Sequence, residues 1–130
     1  MTFPLMKLAR VLLLVGAVAN TLFVAFHAWL GWRLHHLTRL DRGIRDLLEM
    51  LNGGGTLFIL FLGVASWLIA RETNRSALGR LVIVTAIALY GLRGLVEFVL
   101  PPHVTPWVLG TCAVTTLLYA AVLVADRRTA

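Results

Sequence analysis

A chain of 130 residues that is 59% hydrophobic and only 14% charged, with a mean hydropathy of +0.86, carries too little polar material to cover a water-soluble domain. Its net charge of +6 comes without a stripe of Lys and Arg interleaved with aromatics, which sets aside a nucleic-acid partner. One cysteine, Cys112, rules out an internal disulfide and any CxxC redox or zinc pair.

The apolar residues fall in four runs, about 8–32, 47–70, 80–100 and 107–125, each close to the roughly 20 residues that a bilayer span requires. The connectors are short, so consecutive helices are antiparallel neighbours. The expected fold is therefore all-α: one integral membrane domain over residues 1–130, an up-down-up-down bundle of four transmembrane helices.

In the first run, Lys7 and Arg10 followed by VLLLVG and Ala17-Val18-Ala19 imitate a secretory leader. The apolar stretch continues through TLFVAFHAWLGW, so a span is expected in place of a short leader. In the connector RLHHLTRLDRGIRD (33–46), Leu37, Leu40 and Ile44, followed by Leu47, Leu48 and Leu51, recur at helical spacing. That connector is an interfacial turn or a continuation of the second helix. Asn52 and the triplet Gly53, Gly54 and Gly55 mark the start of the second run. They admit either close approach by another helix or a ligand, or a frayed helix start against a bulky neighbour. Pro101, Pro102 and Pro106 lack a backbone donor and restrict the residue before them, so they stop the third helix and set the start of the fourth.

Seven basic residues collect on one side of the spans, namely Lys7, Arg10, Arg71, Arg75, Arg80, Arg127 and Arg128, against four on the other, Arg33, Arg39, Arg42 and Arg45. The bias favours both termini on the cytoplasmic side. Trp29, Trp32 and Trp107 then mark the outer interface and Trp67 the inner half, as in an aromatic belt.

At 100° per residue, each helix carries one small or polar stripe. In the first, Gly16, Asn20, His27 and Gly31 fall within about 60°. In the second, Asn52, Thr56, Gly63 and Ser66 fall within about 80°. The third carries Ala86, Tyr90, Arg93 and Glu97, and the fourth Cys112, Thr115, Thr116 and Tyr119. Packing in lipid relies on such small residues and on interhelical hydrogen bonds, so the stripes face one another.

Arg93 and Glu97 stand four residues apart on one helical face, inside a segment where charge is costly. Two readings are open: both snorkel to the outer headgroups, or both line an inward pocket. Depth favours the pocket, because His27, Asn52, Arg93, Glu97 and Cys112 all fall in the same half of the membrane. The candidate ligand-binding cluster is His27, Asn52, Arg93 and Glu97, with Asn20, Thr56, Tyr90, Cys112 and Thr116 as further lining. His35, His36 and His103 lie in connectors, and the adjacent His35 and His36 have no carboxylate or cysteine set at metal spacing, so no metal site is expected. No catalytic residue and no cofactor is assigned.

His27 with Trp29, LDRGIRDLLEMLN (40–52), LGR (78–80) and LRGLVEF (92–98) resemble a widespread group of small bacterial four-span membrane proteins without an assigned activity. The resemblance implies a bacterial inner membrane location and a shared role for His27, Asn52, Arg93 and Glu97. Asp41, Arg42, Arg45, Glu49 and Asn52 are also similar to the E-R-x-x-R-x-x-x-N-x-x-E pattern of the membrane-associated glutathione and eicosanoid metabolism enzymes, four-span trimers, with Asn and Glu in interchanged order. The leading expectation is a non-catalytic module that binds an amphipathic, lipid-like ligand or docks a partner subunit, including another copy of itself, among membrane lipids. The alternatives are a membrane-embedded enzyme using Glu97 or His27 for proton transfer on a lipid-like substrate, and a proton or ion pathway with the same two residues as relays.

Overall fold

The computed structural model of the chain describes residues 2–72, 76–99 and 105–127. These form four α-helices: α1 (Thr2–His35), α2 (Arg42–Ile69), α3 (Ala77–Val99) and α4 (Pro106–Arg127). Each is long and apolar enough to cross a membrane, and the fold is the expected all-α four-helix bundle. Arg75, Leu100, Pro101, Pro102, His103 and Arg128 lie outside the described residues.

The first two helices are longer than their apolar runs. Asp41 caps α2 by accepting the Gly43 N–H at 2.9 Å, which satisfies a donor that the helix itself leaves unpaired. The helix therefore starts at Arg42, and Ile44, Leu47, Leu48 and Leu51 belong to it as a continuation. This corrects the placement of the glycine triplet: Gly53, Gly54 and Gly55 sit inside α2, about three turns past its start. A Cβ on any of the three would meet nothing within 4 Å among the described residues.

Around the bundle the helices follow chain order, with α1 against α2 and α4, α4 against α3, and α2 and α3 touching least. Leu13, Leu62, Ile83, Tyr119 and Val122 are wholly buried between them. Small residues set the spacing, as packing without a water-driven force requires. A Cβ on Gly16 would lie 2.8 Å from the Tyr119 hydroxyl, so the α4 tyrosine rests on the α1 backbone and only glycine leaves it room.

The two halves of the bundle differ in height. Phe26 on α1 meets Trp107 at the start of α4, ring centroids 5.6 Å apart and nearly perpendicular. From Phe26, α1 continues to His35, about 13 Å further at 1.5 Å per residue. Across this α1–α2 arm His35 Nδ1 stands 3.3 Å from Glu49 Oε1, and the arm exposes Ile44, Leu47 and Leu51 on α2.

Candidate functional site

The four polar stripes converge at mid-bundle on a hydrogen-bonded knot with one side chain from each helix. Asn20 Nδ2 donates to the Gly16 carbonyl at 2.7 Å and to the Tyr119 hydroxyl at 2.8 Å. Its Oδ1 accepts the Tyr90 hydroxyl. Tyr119 and Ser66 hydroxyls lie 2.7 Å apart. Because the Tyr119 oxygen already accepts from Asn20, its own proton is available for Ser66. Asn20, Ser66, Tyr90 and Tyr119 are all buried, where an unpaired polar group would be costly.

Toward the arm, Asn52 on α2 holds His27 on α1 at two atoms. Asn52 Nδ2 donates to the His27 carbonyl at 2.9 Å, which fixes the amide so that Oδ1 faces His27 Nδ1 at 2.8 Å. An amide oxygen only accepts, so Nδ1 carries the proton and, in the neutral ring, Nε2 is left as an acceptor. No described residue bonds to Nε2. The close approach depends on Gly31, where a Cβ would lie 2.9 Å from Asn52 Nδ2.

Arg93 Nη1 and Glu97 Oε2 form an ion pair of 2.8 Å, with the Arg93 side chain 48% exposed and that of Glu97 8%. Glu97 Oε1 accepts the backbone N–H of Thr105 at 3.1 Å. Thr105 is the N-cap of α4, since its carbonyl accepts the Leu109 N–H at 3.1 Å, and Pro106 follows at the position where a missing N–H costs nothing. The carboxylate thus lies at the positive end of the α4 dipole and locks α4 to the end of α3. Glu97 points inward to that junction while Arg93 stays half in the open, so the pair divides between the two readings of the sequence.

Between these sets lies a partly open cleft of about 370 Å³ with contributions from all four helices. Phe23, Phe26, Leu30, Phe58, Ile59 and Trp107 provide apolar wall, and His27, Tyr90, Arg93, Thr111 and Cys112 the polar or sulfur-bearing part. The four residues expected as one cluster therefore form two pairs, and one member of each, His27 and Arg93, lines the cleft. Asn52 and Glu97 do not line it, because their side chains are committed to the α1–α2 and α3–α4 joints. Of the further residues, Tyr90 and Cys112 line it, while Asn20 lies in the knot. Thr56 and Thr116 do not line it; they bond back to their own helices, to the carbonyls of Asn52 at 2.7 Å and Cys112 at 2.8 Å, a common use of threonine in helices. Trp29, Trp32 and Trp107 are exposed toward this end. Trp67, toward the other, carries the Arg71 guanidinium 3.6 Å above its ring.

The segment similar to the glutathione-enzyme pattern has its side chains engaged locally. Asp41 caps α2, Arg45 Nε stands 4.0 Å from both Asp46 and Glu49, and Asn52 holds His27. Among the described residues, no three His, Cys, Asp or Glu side chains gather as metal ligands would. Comparison of the chain with protein-family models, with curated proteins and with solved structures returned no match.

Several site residues carry little signal in the sequence. Thr111 and the aromatic walls belong to the apolar background of their spans. Thr105 is the exception, because a threonine directly before Pro106 is a helix-start pattern.

Proposed function

We propose that the chain is a small multi-pass protein of a bacterial inner membrane, with both termini cytoplasmic, that binds an amphipathic ligand without transforming it. The observation that carries this reading is a single concavity that joins aromatic walls to two polar side chains, His27 and Arg93. Binding sites for small molecules have this composition, mostly apolar with a few placed polar groups. Arg93 would hold an anionic or carbonyl head with the N–H groups that Glu97 leaves free, and Glu97 would keep the guanidinium aimed. The aromatic wall would take the tail. The level of Trp29, Trp32 and Trp107 supports a head at the depth of the lipid headgroups.

Native mass spectrometry of protein extracted with its surrounding lipid tests the reading. A retained amphiphile is expected in the wild type and its loss in Arg93→Gln. A wild type that retains none, or a variant that retains as much, overturns it.

A second reading, docking of a partner subunit, draws on the exposed Ile44, Leu47 and Leu51, which share a helix face with Gly54, where a Cβ would meet nothing within 4 Å among the described residues. Crosslinking from Met50→Cys in native membranes should trap that subunit if the face is covered.

A further inference from the structure

We propose that the ligand is an anionic glycerophospholipid whose headgroup carries free hydroxyls, of the phosphatidylglycerol kind; this rests on the ligand-binding reading and names the chemistry of the same cleft. The inference comes from the direction of the hydrogen bonds around it. Asn52 orients His27 so that Nδ1 holds the proton and, in the neutral ring, Nε2 is an acceptor. Thr111 commits its hydroxyl proton to the Trp107 or Val108 carbonyl, each at 3.0 Å, and its oxygen keeps only lone pairs. Tyr90 gives its proton to Asn20. The cationic donor stands in one place: Arg93 has a single Nη on Glu97 and is half exposed beside the cleft. Because the α4 N-terminal dipole shares the Glu97 charge, the remaining N–H groups of the paired guanidinium can face an anion.

The complementary molecule brings one anionic acceptor for Arg93 and hydroxyl donors for His27 and Thr111. A quinone or an ionised fatty acid offers acceptors only and would leave those lone pairs without partners. A phosphatidylethanolamine brings donors, but on a cation beside Arg93. A phosphodiester bearing a glycerol supplies both requirements, and its acyl chains would follow the apolar walls between α2 and α3, the neighbours that touch least.

The test titrates the purified full-length chain in detergent with lipids of one acyl composition and reads bound fractions by native mass spectrometry. Phosphatidylglycerol is expected to bind about tenfold more tightly than phosphatidylmethanol, which has the same charge and no hydroxyl. Both are expected to exceed phosphatidylcholine. Thr111→Val and His27→Phe should each narrow the first ratio and keep the second, whereas Arg93→Gln should remove the second. Among the described residues Thr111 bonds to its own helix, so its variant keeps the test informative if His27→Phe fails to fold. Equal binding of phosphatidylglycerol and phosphatidylmethanol, both above phosphatidylcholine, overturns the hydroxyl assignment and leaves the ligand-binding reading intact. No preference over phosphatidylcholine overturns both. Tighter binding of a short-chain quinone overturns the assignment, and so does displacement by an equal concentration of glycerol 3-phosphate, which would point to a soluble phosphate.

Discussion

Asn52 grips His27 by its ring and its backbone together, accepting from Nδ1 at 2.8 Å and donating to the carbonyl at 2.9 Å. One side chain thereby fixes the spacing of α1 and α2 and the proton position on a residue of the cleft. Asn52→Leu removes both bonds and is expected to lower unfolding free energy by about 1 to 2 kcal/mol, given the modest worth of interhelical hydrogen bonds in membranes. Equilibrium unfolding in mixed detergent micelles measures it. Gly31→Ala should reproduce part of the loss, since its methyl would press on the same amide.

Gly16 and Gly54 make opposite predictions for one substitution. Gly16→Ala drives a methyl into the Tyr119 hydroxyl and should cost about 1 to 3 kcal/mol, the usual range for overpacking. Gly54→Ala meets open space and should change stability by no more than about 1 kcal/mol, toward a more stable helix. The same unfolding assay separates them.

The mid-bundle knot predicts coupling between helices distant in sequence. Tyr119→Phe leaves an Asn20 N–H and the Ser66 hydroxyl without their partner, a loss of about 1 to 3 kcal/mol. Ser66→Ala should cost less, because Tyr119 keeps Asn20. A double-mutant cycle on the pair is expected to give at least about 0.5 kcal/mol of interaction, and an additive result would refute the shared bond.

Glu97 joins two partners, and two variants distinguish them. Glu97→Gln keeps an oxygen for the Thr105 N–H and loses the ion pair with Arg93. Glu97→Leu loses both. Melting temperature should fall in both variants, further in Glu97→Leu, and equal falls would show that the bond to α4 contributes nothing.

The angular part of this architecture was readable before the fold, because 100° per residue fixes which side chains share a helix face. Asn20, Ser66, Tyr90 and Tyr119 each belong to such a stripe, and they meet. The axial part was not readable. Whether His27 lies level with Glu97 or with Asn52 depends on how far each helix slides past its neighbour and on side-chain length, and no periodicity encodes either. For that reason a single expected cluster became two pairs on opposite sides of a cleft. The connector before α2 left two readings open, a turn or a continuation of the helix, and one aspartate decides between them: Asp41 caps a helix whose first turns are too polar to register as a span.

The unequal helices give the molecule one tall flank and one short one. At 1.5 Å per residue, α1 with 34 residues measures about 51 Å and α3 with 23 residues about 34 Å, while hydrocarbon is about 30 Å thick. The short flank nearly matches the bilayer and the tall flank overshoots it, so thickening the membrane stabilises one side more than the other. Tilt thus becomes a property set by lipid composition, and the same protein should lean differently in thin and thick bilayers.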